Sequence, residues 1–488
     1  MTDKETIIQK TVTATKWSVV TEIVAKFISP ITSMILARIL APEAFGVLAT
    51  VQMVIAFAEV FVESGFQKYL IQHSFFDAER EKQHMSVAFW TNLAVSMLLW
   101  LLISIFNNPI ANLVGNPGKG YLLIITGITI PLYGIIGIQN CKLKKELDFK
   151  KLFYVRIASA LVPLVITIPL ALLGLDYWAL IIGNIAGVLM NSVVLTVMKA
   201  FVPMLYFSRN DLREMLSYGI WTLLNGLAVW LGSWVDTLLI GRFLNEYYTG
   251  LYKNTVNLIT SIFTMITAAI VPVLFSALSK FQDDDKEFNR LFSDTMSILS
   301  LFLIPLGIGL FLYKDFATSI LLGSKWTEAA DILAVTAVAT TFRTIFVSLN
   351  SDVFRAKGHF RLPLVLQTVE LAVRIPLCYF ALKHGFSLFV YLSAASKVIL
   401  IPAELFYLRK ACYIHIAELF QRTLPYYIGV TAMSAVAVLC MRMFSPSIIG
   451  NIASIILCAA VYFAIVLCFP SKRNFVYSKI HNFRGEKK

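Results

Sequence analysis

Long apolar runs recur from one end of the 488-residue chain to the other. A helix that crosses a bilayer needs about 20 mainly apolar residues, and the sequence contains fourteen runs of that kind. Only 15% of the residues are charged, whereas soluble proteins carry about 25%. The solvent of this apolar surface must therefore be lipid, and we predict an all-α polytopic membrane protein. The runs lie at 14–38, 46–71, 85–107, 119–141, 152–174, 177–198, 215–242, 250–277, 291–313, 328–350, 362–382, 386–408, 423–443 and 448–469.

Lysines and arginines are distributed unevenly between the two sides of this predicted bundle. Fourteen spans place both termini on one side, and 29 of the 42 Lys and Arg residues fall on that side, against 8 on the other. Because cytoplasmic loops are enriched in Lys and Arg, both termini are predicted to be cytoplasmic. The net charge of +13 has the same origin, so nucleic acid is not an expected partner.

The sequence lacks the motifs of common catalytic modules. Its loops are short, and it contains neither a Gly-x-x-x-x-Gly-Lys-Ser/Thr phosphate-binding loop nor a His-Glu-x-x-His motif. The six cysteines lie in or beside apolar runs, and none forms a Cys-x-x-Cys pair. We therefore expect a transporter rather than an enzyme, with no cofactor and no metal site.

A short motif occurs twice. The segment at 34–49, MILARILAPEAFGVLA, aligns with LLIGRFLNEYYTGLYK, which lies 204 residues later. Arg38 falls on Arg242 and Gly46 on Gly250. Any helical hairpin can end in Arg and restart with Gly, so the match alone leaves chance similarity open. Its position, six predicted helices after the first copy, favours an internal duplication.

An offset of six helices preserves orientation, so the two copies are expected to run in parallel. This predicts two six-helix bundles related by an axis along the membrane normal, a plan used by transporters. The predicted domains are an N-terminal bundle, a C-terminal bundle, transmembrane helices 13 and 14, and a basic cytoplasmic tail, at 1–204, 205–422, 423–470 and 471–488.

The motif also predicts a local structure. Arg38 is expected in the last turn of helix 1, near the negative end of the helix dipole. Pro42 fits the first turn of helix 2, where its missing N–H costs nothing, and Glu43 then meets the positive end of that helix. The second copy lacks the proline. Both stretches are predicted to form short turns on the non-cytoplasmic side.

The first copy also carries a family resemblance. The segment at 36–72, LARILAPEAFGVLATVQMVIAFAEVFVESGFQKYLIQ, resembles the first hairpin of Wzx-type, WzxC-like polysaccharide-transport flippases. These belong to the multidrug/oligosaccharidyl-lipid/polysaccharide (MOP) exporter superfamily. The chain departs from the family pattern at Ala41, where Ser is common, and at Ala44, where an acidic residue is usual. The shared features are Leu36 to Gly46, Phe57 and Phe61, Glu63 to Phe66, and Ile71-Gln72.

The resemblance implies a MOP/MATE-like fold and a function. It implies a flippase that moves a polyprenyl-diphosphate-linked oligosaccharide across the bacterial cytoplasmic membrane by alternating access. The oligosaccharide is the repeat unit of an exopolysaccharide, a capsule or an O-antigen. Expected partners are this lipid-linked glycan, membrane lipids, a polymerase and other assembly proteins, and a monovalent cation or a proton.

Predicted helices 1 and 2 carry four ionisable residues away from their ends that are candidates for function. Such residues are costly in lipid and tend to face interiors or wet cavities. Lys26 is a candidate for substrate binding, and Glu22, Glu59 and Glu63 are candidates for ion or proton coupling. The alternatives are a self-neutralised Glu22–Lys26 pair, or a buried ion network in which Lys26 offsets the repulsion between Glu59 and Glu63.

Helix 7 combines aromatic and polar residues that suit a glycan. Trp234 can stack on a sugar ring, whereas Asn225 and Asp236 can bond to hydroxyl groups. An interfacial aromatic belt remains the alternative, because Trp234 and Asp236 are near the helix end.

Two arginines suit the diphosphate, since a guanidinium matches phosphate oxygens. Arg343 lies in helix 10 and Arg156 near the inner end of helix 5, where it can alternatively snorkel to the surface. Glu370 and Arg374, four residues apart in helix 11, are expected to neutralise each other.

Two other functions compete with the flippase. A multidrug or cation antiporter of the same superfamily is expected to have an acidic pocket and twelve spans. A membrane glycan polymerase or glycosyltransferase is expected to carry a large outer loop with clustered charges, which the short loops of this chain do not provide.

Overall fold

The computed structural model describes residues 17, 24, 26–63, 65–268, 270, 274, 278, 280–281, 284–359, 361–443, 447–470 and 472–473. All of the regular structure in this part of the chain is helical. A 3-10 turn at Ser324–Ala329 precedes the helix at Ala330–Arg343, and a π-helical segment at Thr344–Ser348 follows it. The helices are α1 (26–39), α2 (Pro42–Val62), α3 (Phe66–Gln72), α4 (Ala78–Ile105), α5 (Asn107–Leu113), α6 (Gly120–Gly127), α7 (Thr129–Lys145), α8 (Phe149–Leu172), α9 (Tyr177–Val197), α10 (Arg209–Phe243), α11 (Glu246–Ala268), α12 (Asp285–Leu312), α13 (Lys314–Leu321), α14 (Ala330–Arg343), α15 (Asn350–Ala356), α16 (Leu362–Lys383), α17 (Phe386–Ser396), α18 (Ile401–Cys412), α19 (Ile416–Met443) and α20 (Ile448–Cys468).

Twelve helical segments of the described residues are long and apolar enough to cross a membrane. The predicted all-α membrane fold is therefore confirmed, but the count of fourteen spans is not. The run at 14–38 lies partly outside the described residues, of which 26–39 are helical. The run at 250–277 lies partly outside the described residues, and its described part is mainly α11, which contains Lys253, Asn254 and Asn257 and is not among the twelve.

The chain forms two compact units. Unit 1 comprises 1–261 with 375–389, and unit 2 comprises 262–374 with 390–488. The predicted boundaries of the two six-helix bundles stay a prediction.

Helix α2 lies at the centre of unit 1. It packs against α4, α7, α9 and α10, and its buried side chains form a core with residues of α4, α5, α6 and α9. In unit 2, α12 packs against α14 and α19, and α20 packs against α19. The Tyr462 hydroxyl donates to the carbonyl oxygen of Leu301 over 2.9 Å, which joins α20 to α12.

The two copies of the repeated motif form equivalent turns in unit 1. We call residues 36–50 the first turn region and residues 240–254 the second turn region. Helix α1 ends at residue 39 and α2 begins at Pro42, whereas α10 ends at Phe243 and α11 begins at Glu246. Each boundary in the second region lies 204 residues after its equivalent in the first.

The local predictions for the first turn region are confirmed. Pro42 opens α2, and Glu43 lies in its first turn. Ala41 is the N-cap residue and provides no side-chain hydrogen bond, consistent with the missing hydroxyl noted in the sequence. Arg38 lies in the last turn of α1, as Arg242 does in α10.

The glycines of the two turn regions lie against each other's backbone. A Cβ atom on Gly46 would overlap the carbonyl oxygen of Glu246, and a Cβ atom on Gly250 would overlap that of Pro42. Pro42 and Glu246 are equivalent positions in the repeat, as are Gly46 and Gly250. The contact is therefore reciprocal, as at a two-fold axis, which supports the duplication.

Candidate functional site

Unit 1 contains a cavity of about 330 Å³ between five helices, and we call it the unit 1 cavity. Its volume falls within the range of about 300–1,000 Å³ that is usual for ligand pockets. Its lining comes from α1, α2, α8, α9 and α11. The lining residues are Ile28, Ser29, Thr32, Ser33, Leu36, Phe45, Leu48, Ala49, Gln52, Ala160, Pro163, Thr167, Leu180, Asn184, Lys253, Asn254 and Asn257.

Two glycines of α9 bring that helix close to α8 at the cavity wall. A Cβ atom on Gly187 would lie 2.6 Å from Cγ of Pro163, and one on Gly183 would overlap the hydroxyl of Thr167. Small residues allow such close approach of helices in membranes. The approach places Pro163 and Thr167 of α8 beside Asn184 of α9.

The polar lining is mostly hydroxyl and amide. The Ser33 hydroxyl donates to Oδ1 of Asn254 over 2.9 Å, which joins α1 to α11. The Nδ2 atom of Asn254 is buried and has no hydrogen-bond partner among the described residues. Leaving a buried donor unpaired is costly, so this amide is suited to donate to an acceptor on a bound ligand.

Lys253 is the charged side chain in this lining. Its Nζ donates to the carbonyl oxygen of Ser233 over 3.0 Å and lies 3.8 Å from the centroid of the Trp234 ring. A cation over an indole face is stabilised by the ring quadrupole. Trp234, a predicted glycan-stacking residue, therefore stacks against Lys253 and contributes to the site by positioning that lysine.

Three of the predicted charged residues lie on helix faces that continue the cavity lining. Residues three, four or seven apart share a helix face. Lys26 is three residues from Ser29 on α1, and Glu59 is seven residues from Gln52 on α2. Arg156 on α8 is four residues from Ala160, another lining residue. The side chains of Lys26, Glu59 and Arg156 are all half-buried.

The predicted carboxylate pair of helix 2 is present on α2. Glu59 interacts electrostatically with Glu63 and through its side chain with Tyr133 of α7. Glu63 is exposed at the end of the helix. Glu22 lies outside the described residues, so the predicted Glu22–Lys26 pair stays a prediction.

The remaining candidates on α10 lie outside the cavity lining. Asn225 is half-buried. Asp236 is 4% exposed and accepts a hydrogen bond of 2.5 Å from the Tyr252 hydroxyl of α11. Asp236 therefore joins α10 to α11, next to the helix turn that presents Lys253.

Arg343 lies in unit 2 and contacts a carboxylate. Its Nη1 atom is 2.6 Å from Oε1 of Glu370, whereas the expected Glu370–Arg374 pair is separated by 3.9 Å. The predicted pair is thus part of a three-residue network.

Sequence reasoning missed much of the cavity lining. Apart from Asn225, it considered charged and tryptophan residues, whereas the structure adds the amides Gln52, Asn184, Asn254 and Asn257. These four residues could have been identified in the sequence as amide side chains within apolar runs. Among the described residues, no group of three His, Cys, Asp or Glu side chains is arranged to hold a metal ion.

Comparison with solved structures defines the fold. The lipid II flippase MurJ, in an inward closed conformation, matches with a TM-score of 0.76 at 17% identity, over 94% of this chain and 99% of that one. A multidrug resistance MATE family transporter of the MOP superfamily, inward-facing, matches with a TM-score of 0.62 at 13% identity, over 80% and 94% of the two chains. The chain shares the fold of both of these proteins.

Sequence comparison defines the family. Residues 35–331 match the model of a family described as polysaccharide biosynthesis protein, and the chain belongs to this family. The lipopolysaccharide biosynthesis protein WzxC of Escherichia coli K12 is 23% identical over 343 residues, 69% of this chain and 68% of WzxC. The succinoglycan biosynthesis transport protein ExoT of Rhizobium meliloti is 26% identical over 337 residues, 68% of this chain and 67% of ExoT. The predicted resemblance to WzxC-like transporters is confirmed.

Proposed function

We propose that this chain moves a polyprenyl-diphosphate-linked oligosaccharide across the cytoplasmic membrane by alternating access. The observation that carries the proposal is the unit 1 cavity, whose polar lining is dominated by hydroxyls and amides. Such groups bond to sugar hydroxyls without selecting a cationic drug. The relatives support the same substrate class, because their names assign them to lipopolysaccharide and succinoglycan production.

Within this proposal, the cavity residues have different roles. Asn254 and Asn257 bond to glycan hydroxyls, and Lys253 attracts an acidic substituent or a phosphate oxygen. Lys26 and Arg156, on faces that continue the lining, provide positive charge for the diphosphate. The remaining candidate substrate residues are Arg343, Asn225, Trp234 and Asp236. Trp234 acts through its contact with Lys253, and Asp236 acts through its hydrogen bond with Tyr252.

We also propose the membrane arrangement and the partners. Both termini are cytoplasmic, which places the two turn regions on the outer side of the cytoplasmic membrane. Glu22, Glu59 and Glu63 are candidate sites for a coupling cation or proton. A polymerase and other assembly proteins receive the glycan on the outer side.

Gene deletion tests the function. In a deletion strain, full-length lipid-linked repeat units are expected to accumulate in the inner leaflet, where an impermeant lectin or periodate cannot reach them. Accumulation of unpolymerised units in the outer leaflet would instead indicate a polymerase.

Complementation of that strain tests the site. Lys26→Ala is expected to lower surface glycan at least tenfold with unchanged protein in the membrane, because it removes a cation from the cavity-lining face of α1. Lys383→Ala, which removes an exposed lysine at the end of α16, is the matched control and is expected to restore display. Normal display with Lys26→Ala would remove Lys26 from the site.

A further inference from the structure

Two membrane spans are interrupted within unit 2, and the interruptions lie where the spans contact each other. The span at Ser324–Ala356 contains the π-helical segment Thr344–Ser348, and the span at Phe386–Cys412 is broken between Ser396 and Ile401. The π-helical segment and α15 both pack against α18. π-helical segments are frequent at functional sites, and discontinuous spans form many transporter binding sites.

A cluster of charged side chains joins these interruptions, and we call it the unit 2 cluster. Arg343, the last residue before the π-helical segment, donates to Oε1 of Glu370 over 2.6 Å and to the carbonyl oxygen of Lys397, in the break, over 3.4 Å. Arg374 lies 3.9 Å from the same Glu370 oxygen. Glu370 and Arg374 are buried, but the Arg343 side chain is 35% exposed. Arg343 is thus the member that an anion can reach.

A second carboxylate in the cluster has a neutral partner. Glu404 of α18 is 8% exposed, and its Oε2 accepts a hydrogen bond of 3.1 Å from Nδ2 of Asn350. Asn350 is fully buried and also donates to the carbonyl oxygen of Phe346, in the π-helical segment, over 2.6 Å. Oδ1 of Asn350 has no hydrogen-bond partner among the described residues. The amide that contacts Glu404 therefore has a buried oxygen, Oδ1 of Asn350, that can accept a further hydrogen bond.

Among the described residues, the charge of Arg343 attracts the Glu404 carboxylate and that of Glu370 repels it. On the neighbouring helix α19, Glu418 and Arg422 pair with each other, and Arg422 also pairs with Asp294. In the described part of the cluster, Arg343 acts on both buried carboxylates. Removing its charge would leave Glu370 beside Arg374 and Glu404 beside an amide.

We propose that the unit 2 cluster is a proton-binding site coupled to anion binding at Arg343, an inference that rests on the proposed lipid-diphosphate substrate. When the diphosphate draws the Arg343 guanidinium away from Glu370, one proton from water binds the Glu404 carboxylate. The proton binds Glu404 rather than Glu370 because Glu370 still lies beside the positive charge of Arg374, whereas the contact of Glu404 with Asn350 is uncharged. The new carboxyl O–H also supplies a donor within the pocket that holds the unpaired Asn350 oxygen.

The coupling acts in both directions. If the anion increases proton binding, protonation of Glu404 must increase anion binding by the same factor. Release of the diphosphate then returns Arg343 to Glu370 and releases the proton. The cluster would thus link a proton to the loaded state of the transporter.

Calorimetry of the full-length protein in detergent tests this proposal, with farnesyl diphosphate as the probe. Titration near pH 7 in two buffers of different ionisation enthalpy gives the number of protons taken up per bound probe. Wild type is expected to take up close to one proton more than Glu404→Gln, which keeps the side-chain shape, mimics the protonated carboxyl and therefore binds at least as tightly as wild type. Protonation of the probe itself is the same in both and cancels.

Two further variants separate the roles within the cluster. Arg343→Gln is expected to weaken probe binding at least tenfold, whereas Glu370→Gln is expected to strengthen it several-fold by releasing Arg343. Glu418 is a half-buried carboxylate that pairs with Arg422, so Glu418→Gln is the matched control and is expected to behave as wild type.

Two results would overturn the proposal. Wild-type binding without net proton uptake contradicts it whether or not the variants fold, and equal uptake by wild type and Glu404→Gln removes Glu404 from the site. Absence of probe binding would also contradict it, since no anion would then reach Arg343. The flippase function is judged separately by the leaflet location of the glycan in the deletion strain.

Discussion

The first and second turn regions share one backbone plan but different side chains. Both place a helix end, a two-residue link and a helix start at matching positions, and each glycine lies against the other region's backbone. Between them, Ala41 and Pro42 are replaced by Asn245 and Glu246, and Thr50 by Asn254. The backbone crossing has been retained, whereas the side chains around it have diverged.

Helices α2 and α11 begin in two different ways. Helix α2 begins with Pro42, whose fixed φ suits the first turn, after an N-cap residue without a side-chain hydrogen bond. Helix α11 begins after Asn245, whose Oδ1 accepts from the backbone N–H of Tyr248 over 3.1 Å. A capping side chain and a rigid first residue are thus alternative ways to begin a helix at this turn.

About two turns further into each helix, the copies take different roles. The Thr50 hydroxyl accepts from the Asn116 amide and donates to a backbone carbonyl of its own helix. Its equivalent, Asn254, faces the unit 1 cavity with an unpaired amide nitrogen. The difference separates a position that holds the fold from one that we propose to bind substrate.

The largest expected effect comes from breaking the crossing itself. Gly46→Ala and Gly250→Ala each place a methyl group against the opposite backbone, and each is expected to destabilise the protein by about 3 kcal/mol, at the upper end for overpacking. Gly309→Ala in α12 is the matched control, because a Cβ atom there meets nothing within 4 Å. Reversible unfolding in mixed micelles measures the loss. A large loss at one glycine and none at the other would contradict the reciprocal contact.

The pair Thr50 and Asn254 is expected to separate stability from transport. Thr50→Val removes the acceptor of the buried Asn116 amide and is expected to cost about 1–3 kcal/mol of folding free energy. Asn254→Leu removes the acceptor of the Ser33 hydroxyl, which is expected to cost about 0.5–1.5 kcal/mol, and is expected to lower glycan export at least tenfold. Unfolding and surface glycan are measured for both variants. Normal export with Asn254→Leu would argue against the unit 1 cavity as the substrate site.

Exchanging the helix starts is expected to have a smaller effect. Asn245→Ala removes a side-chain cap and is expected to cost about 1 kcal/mol, whereas Ala41→Asn adds a cap at the equivalent position and is expected to gain up to about that amount. The comparison is made by unfolding of the single variants. If Ala41→Asn destabilises the protein, Pro42 and a side-chain cap are not interchangeable at this turn.

The smallest expected effect concerns the ion pair of the second turn region. Lys119 contacts Glu246 at a partly exposed site, and such pairs contribute about 0–1 kcal/mol. Lys119→Ala is therefore expected to change stability by less than about 1 kcal/mol, and the change is expected to disappear in high salt. A loss that persists in high salt would point to packing of the lysine stem instead.

Features with a local physical cause were predictable from the sequence. Apolar runs located the helices, and Pro42 marked the start of α2, because both signals depend on neighbouring residues only. The reciprocal contact of Gly46 and Gly250 was not predicted, although the repeat had identified both glycines. Which backbone each one meets depends on how the hairpins cross.

The partners of polar side chains were harder to predict. Sequence spacing paired Glu370 with Arg374, but the structure places Arg343, 27 residues away, closer to that carboxylate. The amides of the cavity lining carry no charge, so single residues such as Asn184 did not stand out. Both features arise from tertiary packing, which one sequence does not reveal.

Reconstitution tests the central claim most directly. The purified protein is placed in liposomes with lipid-linked oligosaccharide extracted from the deletion strain, and the fraction of glycan reached by an external lectin is followed with time. Wild type is predicted to expose the inner-leaflet glycan at least tenfold faster than Asn254→Leu or protein-free liposomes. Equal rates for wild type and protein-free liposomes would contradict a flippase, and equal rates for wild type and Asn254→Leu would contradict the unit 1 cavity as its binding site.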